Sequence, residues 1–280
     1  FNYTTNRKVM CELFAMSSSD PTAVTFSLNE FSKHGGLTGP HKDGWGIAFY
    51  EGKDVRIIKD ESSASRSPCM DFVKSHNFKS KTIISHIRRA TQGKISYSNT
   101  QPFQRELAGR MHTFAHNGDL KGINTSPIVK PKMNHPVGET DSEYVFCYLV
   151  DLLNEIWRSD YRPNIKQRFN LISHFANVIS EYGPANFIYS DGELLFTHGH
   201  IRTQKGKKGY HPPGLFVLYR SFKRDQETKN IEGVQFVDRD QQQDVALVAS
   251  VPLTDEKWKP LTEKELLVLK DGKALDMMNI

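Results

Sequence analysis

The sequence predicts an α+β fold in which antiparallel sheets are layered with helices, and three observations carry that prediction. Short runs rich in β-branched and aromatic residues, bounded by turn residues, recur from residue 11 to residue 115 and again from residue 186 to residue 269. Two consecutive amphipathic helices lie between these regions. Strands, then a helix pair, then strands is not the strict strand–helix alternation of a parallel sheet.

In order, residues 11–16 read as a strand, and Ser17-Ser18-Ser19-Asp20-Pro21 ends it with turn chemistry, Asp20 capping a helix with Pro21 at its first position. Val24, Phe26, Leu28 and Phe31 give that helix an apolar side. Gly35, Gly36 and Gly39 then break it into a loop leading to His41-Lys42-Asp43-Gly44-Trp45-Gly46. Residues 47–50 and 55–58 flank Glu51-Gly52-Lys53-Asp54, which suits a hairpin with an irregular turn, and the glycines beside Trp45 let another backbone approach closely. Ser67-Pro68 repeats the cap-plus-proline start and opens a short helix through Met70, Phe72 and Val73. Residues 82–87 form a strand running straight into Arg88-Arg89. Side chains on a strand alternate faces, so only one of the two arginines can point into a site. A polar loop, 94–101, leaves through Pro102-Phe103.

Residues 111–115 form the next strand, ending in His116-Asn117-Gly118-Asp119-Leu120. Asn-Gly is a turn signal; it also offers an amide side chain and an unhindered backbone N–H, two donors that could converge on an oxyanion. Residues 123–137 hold three prolines and no periodicity, hence a loop. Thr140-Asp141-Ser142-Glu143 is a capping box, and the helix it starts buries Val145, Tyr148, Leu149, Leu152, Leu153 and Trp157 at three-and-four spacing. Asp141 in the first turn is stabilised by the helix dipole, a role compatible with ligand binding. A second helix spans 165–182 through Phe169, Ile172, Phe175, Ala176 and Ile179, and Gly183-Pro184 stops it. Strands 186–190 and 193–197 surround Asp191-Gly192, read as a two-residue hairpin turn, and further strands follow at 215–219, 234–237, 245–251 and 266–269.

The 280 residues, 38% hydrophobic and 25% charged, describe a globular chain with no apolar run approaching the ~20 residues of a membrane span. Three scattered cysteines fit a reducing compartment, so the expected location is the cytoplasm, with no membrane association. The net charge of +5 is spread among acids, which argues against a nucleic-acid partner, although Lys205-Gly206-Lys207-Lys208-Gly209 reads as a flexible basic loop. The eleven histidines form no HxxxH or HExxH pair, and neither metal nor cofactor is expected. With no repeat and no long linker, residues 11–280 are expected to form one domain, behind a leader or expression remnant at 1–10.

The chemistry is expected at Met10-Cys11-Glu12-Leu13-Phe14, because a cysteine after a trimmed methionine becomes a chain terminus. An α-amine with a pKa of roughly 7.7–8.0 can then accept the proton of a thiol near 8.5, so one residue supplies nucleophile and base. The bland reading of Cys11 is a small buried hydrophobe at a strand start.

Together with Gly44-Trp45-Gly46-Ile47-Ala48-Phe49-Tyr50, His86-Ile87-Arg88-Arg89-Ala90-Thr91, Ala115-His116-Asn117-Gly118 and Gly138-Glu139-Thr140-Asp141-Ser142-Glu143, that stretch resembles the class II glutamine amidotransferases, and most of all their stand-alone, YafJ-type branch. The resemblance implies an N-terminal-nucleophile fold, a four-layer αββα sandwich of two antiparallel sheets between helical layers. It also implies roles. Cys11 would attack the side-chain amide of L-glutamine and form a thioester, and Asn117 with the Gly118 N–H would hold the oxyanion. Arg88 would grip the substrate α-carboxylate, helped by a hydroxyl from Thr91, while Asp141 would pair with the α-ammonium. A zwitterion buried without partners costs several kcal/mol per ion, so a cation and an anion are both required. Where many members of the family carry an aromatic residue and a histidine, this chain has Arg89 and Gln92, and a glutamine amide can still donate to a carboxylate.

The resemblance thus implies hydrolysis of glutamine to glutamate and ammonia, the ammonia going to water or to a separate acceptor protein. Two alternatives stay open: a hydrolase of a larger γ-glutamyl compound, and a module that binds glutamine without turnover because its cysteine stays capped.

Overall fold

Leu13 and Phe14, neighbours in the chain, are both fully buried but in different cores, and this alternation along one strand builds the fold. The computed structural model describes residues 10–204, 206–222 and 243–279, with backbone alone for 25–27. In chain order the N-terminal elements are β1 (Glu12–Thr22), α1 (Thr25–His34), β2 (Trp45–Glu51), β3 (Asp54–Asp60), α2 (Pro68–His76), β4 (Ser80–Ile87), β5 (Phe103–Leu107) and β6 (Arg110–Gly118). Helices α3 (Asp141–Asn154) and α4 (Ile165–Ser180) follow. The C-terminal strands are β7 (Ala185–Ser190), β8 (Leu195–Gly199), β9 (Arg202–Thr203), β10 (Tyr210–His211), β11 (Phe216–Phe222), β12 (Gln243–Ala249), β13 (Lys259–Pro260), β14 (Glu265–Lys270) and β15 (Lys273–Ala274).

A seven-stranded antiparallel sheet runs β13-β11-β12-β1-β4-β2-β3, and a six-stranded one runs β15-β14-β8-β7-β6-β5. Phe14, Met16 and Ile83 on the outer face of the first sheet pack on Val24, Leu28 and Phe31 of the α1 segment and on Met70 and Val73 of α2. Leu13, Ala15 and Ile84 on its other face meet Ala115, Ile188 and Leu195 of the second sheet. Phe114 and Phe187 then pack on Val145, Phe146, Leu149, Ile172 and Phe175 of α3 and α4. The result is the expected order of layers, helix, sheet, sheet, helix. Each large apolar side chain removed from water in these three cores contributes roughly 1.5–3 kcal/mol.

Tertiary pairing overrode several local expectations. The seryl run 17–19 and Pro21 do not end β1; the strand continues to Thr22 with a register break between Ser17 and Thr22. The hydroxyls find partners that a local turn would otherwise supply, Ser18 with Thr22 at 2.9 Å and Ser17 accepting from the Gly272 N–H at 3.1 Å. Helix α1 accordingly begins at Thr25, with Val24 rather than Asp20 before it and no side-chain cap. The β2–β3 turn contains two residues, Gly52 and Lys53, because Glu51 pairs with Asp54. The β7–β8 loop contains four, since Ser190 pairs with Leu195 and the Asp191 carboxylate accepts both the Glu193 and Leu194 N–H groups at 2.9 Å.

Half of the capping box at α3 is present. Thr140 accepts from the Glu143 N–H at 3.2 Å, but the Glu143 carboxylate is taken by Arg105 at 2.7 Å and by the Gly138 N–H at 2.7 Å. A complete box sits instead at α4, between Asn164 and Gln167. The Ser67 cap of α2 is as expected. Strand β5 was not expected, and the expected strand at 234–237 lies outside the described residues, as does Lys205 of the basic loop.

Candidate active site

Cys11 stands one residue before β1, where that strand pairs with the end of β4. Glu12 pairs with Ile87 and Leu13 with His86, so the antiparallel register puts Cys11 opposite Arg88. Paired residues of neighbouring strands share a face. Leu13 lies between the sheets, so Cys11 and Arg88 also face the inter-sheet space, toward β6. On β6, Ala115 lies in that same space, and Asn117, two residues on, shares its face. Asn117 and Gly118 close β6, paired with Asn186 and Ala185, so the Asn-Gly pair is strand rather than hairpin turn.

The Cys11 thiol is held by the backbone N–H and carbonyl of Arg89, two residues past the end of β4. The Arg89 N–H donates to Sγ at 3.2 Å, and Sγ donates to the Arg89 carbonyl at 3.3 Å. Burial pushes the thiol up to about 11, against the opposing pull of the Arg89 N–H and the Arg88 charge, while Asp141 adds to the rise. Asn117 Nδ2 donates to the Cys11 carbonyl oxygen and, at 3.4 Å, to Ser250 Oγ; its own Oδ1 is buried without a partner among the described residues. Ser250 follows β12 and fastens β1 as well, accepting from the Leu13 N–H at 3.0 Å while its own N–H donates to the Leu13 carbonyl at 3.0 Å.

Arg88 is buried, whereas Arg89 is half-buried, which resolves the alternation. The Arg88 guanidinium donates to the backbone carbonyls of Gln92 at 2.9 Å, Lys94 at 3.0 Å, Gly93 at 3.3 Å and Asp43 at 3.4 Å. It thereby organises the loop that follows β4. Thr91 is exposed, and the Gln92 side chain donates to the Asp119 carboxylate at 2.8 Å. Asp141, the first residue of α3, accepts from the Leu120 N–H at 2.8 Å and the Ser142 N–H at 2.7 Å, tying the β6 exit to the helix. Gly118 has no room for a side chain, because a Cβ there would lie 1.8 Å from the Pro184 carbonyl oxygen.

Several neighbours of Cys11 escaped the sequence reading. The His41 Nε2 lies 2.7 Å from the Met10 carbonyl oxygen, and the Thr203 N–H donates to the Met10 sulfur at 3.4 Å. Glu12 meets His34 at 2.5 Å, and Arg202 donates to the Ser250 carbonyl. Only the position of His41 beside the Gly44-Trp45-Gly46 stretch could have drawn notice; Arg202 and Ser250 are too distant in sequence to leave a signal.

The model of the family "Glutamine amidotransferases class-II" matches residues 10–279. YafJ of Escherichia coli is 37% identical over 263 residues, covering 91% of this chain and 96% of that protein. A Haemophilus influenzae protein is 42% identical over 191 residues, 68% of this chain and 63% of its own length, so the match spans less than two thirds of that relative. The crystal structure of a predicted glutamine amidotransferase from Pseudomonas aeruginosa PA01 superposes with a TM-score of 0.66 at 31% identity, covering 95% of this chain and all (100%) of that one.

Proposed function

The chain belongs to the class-II glutamine amidotransferases, and from that membership we propose that it hydrolyses the side-chain amide of glutamine through a thioester on Cys11, releasing glutamate and ammonia. The observation that carries this reading is the setting of the Cys11 thiol: on a half-buried residue, hydrogen-bonded to the Arg89 backbone, opposite the Arg88 cation, with the Asn117 amide on the same residue.

A thiol pushed up to about 11 is almost wholly protonated at neutral pH and needs a base at hand. Cleavage of the Met10–Cys11 bond would supply one, since the freed α-amine titrates near 8 and belongs to the same residue. In the proposed cycle the amine takes the thiol proton as Sγ bonds to the amide carbon. The same proton then passes to the departing nitrogen as the C–N bond breaks, and water cleaves the thioester to give glutamate. The Asn117 amide, turning from the Cys11 carbonyl, and the Gly118 N–H stabilise the tetrahedral oxyanion; one such donor contributes about 3–4 kcal/mol at the transition state.

Arg88 and Asp141 receive the two charged ends of the amino acid. Asp141 has two backbone donors and keeps acceptor capacity for an ammonium, whereas Arg88 exchanges loop carbonyls for the α-carboxylate. Ammonia leaves to water or to a separate acceptor protein.

The test is to incubate protein beginning at Cys11 with a glutamine-like diazoketone and weigh the intact chain. One adduct, mapped to Cys11 and prevented by excess glutamine, is expected. An unmodified Cys11 under conditions where the protein is folded overturns the proposal.

A further inference from the structure

At the end of the sandwich away from Cys11, the β2–β3, β5–β6, β7–β8 and β14–β15 turns border a cleft of about 320 Å³. Ser18 of β1 lies on its wall, seven residues along the strand from Cys11, or roughly 23 Å at about 3.3 Å per residue. The cleft is therefore separate from the candidate active site.

Its charge is one-sided. Lys53, Lys81, Arg110, Arg162 and Lys270 line it, against two carboxylates, Glu193 and Asp271. Glu193 is already shared by Arg162 at 3.1 Å, Lys270 at 3.0 Å and Arg168 at 2.9 Å, and Asp271 lies 3.9 Å from Lys81. Neither Lys53 nor Arg110 forms an ion pair among the described residues; Arg110 Nε donates to the Asp191 carbonyl at 3.0 Å, which orients the guanidinium. These cations come from separate segments of both sheets and, for Arg162, from the connection between α3 and α4, so the fold rather than a local charge run gathers them. Like charges brought together in a concavity repel one another unless an anion offsets them.

We infer that this cleft binds a small phosphorylated metabolite carrying at least two phosphate charges. The volume lies at the lower end of small-ligand sites. The surplus of cations matches such an anion, and the planar forks of Arg110 and Arg162 suit phosphate oxygens. The Thr82 hydroxyl, also in the lining, adds a neutral polar group.

The experiment uses the full chain and inorganic pyrophosphate as probe, titrated calorimetrically in 50 mM salt. Expected is saturable binding of one pyrophosphate per chain, weakened tenfold or more in Lys53→Ala/Arg110→Gln and unchanged in Cys11→Ser. The Lys53→Ala single variant, altered at an exposed side chain, keeps the test open if the double variant does not fold. No saturable heat with the wild-type chain overturns the inference, as does equal affinity in the cleft variants. A short DNA duplex that binds through Lys53 and is not displaced by pyrophosphate also overturns it, in favour of an extended polyanion surface.

Discussion

Cys11 and Arg89 are joined by a side chain and a single residue's peptide groups: the Arg89 N–H donates to Cys11 Sγ at 3.2 Å, and Sγ faces the Arg89 carbonyl at 3.3 Å. The sulfur is thus oriented by backbone, and burial is the largest influence on its protonation.

Burial that pushes the thiol to about 11 leaves about one thiolate in 10⁴ at pH 7. In the chain with Met10 attached, alkylation of Cys11 by iodoacetamide should therefore rise about tenfold per pH unit from 7 to 10, with the exposed Cys69 serving as an internal comparison. Peptide mass mapping across that range reads the slope; a flat profile at Cys11 would contradict enclosure as the controlling factor.

Asn117→Ala should lower kcat by about 10²- to 10³-fold and move KM by no more than a few fold, as expected for a donor that acts mainly in the transition state. Steady-state glutaminase kinetics on protein processed to Cys11 give both constants. A change confined to KM would assign Asn117 to substrate binding instead.

Glu12 and His34, 2.5 Å apart, titrate as partners. The bond to Glu12 raises His34 above its ordinary 6.5, so that part of the stability is full below 6.5 and is lost as pH rises through the raised value. Burial would raise Glu12, but the His34 bond and charge, together with the His41 and Arg202 charges, hold the carboxyl below its ordinary 4.5; its share is present above 4.5 and is lost on acidification through the lowered value. The pair therefore stabilises most between 4.5 and 6.5. His34→Ala should cost about 1.5–3 kcal/mol in that window, with the deficit shrinking at higher pH. Denaturant unfolding of both proteins at pH 5.5 and 9 checks the sign, and equal deficits would mean an uncharged pair.

Arg168 is a purely structural case. It is buried beneath the β7–β8 loop with Asp191 at 2.8 Å, and Asp191 is itself fully buried. Arg168→Ala leaves that carboxylate uncompensated and should destabilise the chain by about 3–5 kcal/mol, measured by urea unfolding. The double variant Arg168→Met/Asp191→Asn should recover part of the loss, because it removes both charges.

Much of this molecule was legible before any coordinates. The apolar faces of α3 and α4, the Ser67-Pro68 start of α2 and the β-branched run of β4 are local patterns, and local patterns survive folding when the tertiary environment agrees with them. The seryl run in β1 and the Glu143 half of the capping box did not survive. In both, side chains with several possible partners found better ones, in the β14–β15 turn of the other sheet or in Arg105. The residues proposed for the site could be named through the resemblance carried by their motifs, and the alternation rule limited the inward arginine to one of two.

What the sequence by itself determined is the inventory: which residues can be nucleophile, donor, cation and anion, and which segments can be helix or strand. What the tertiary structure decided is which of them meet. Arg88 rather than Arg89 is the buried one, Asn117 reaches Cys11 from 106 residues away, and Ser250 grips β1 from 237. The reason is register. In a sheet ordered β12-β1-β4 the partners of a strand are not its neighbours in sequence, and a slip of one residue would turn Cys11 to the opposite face.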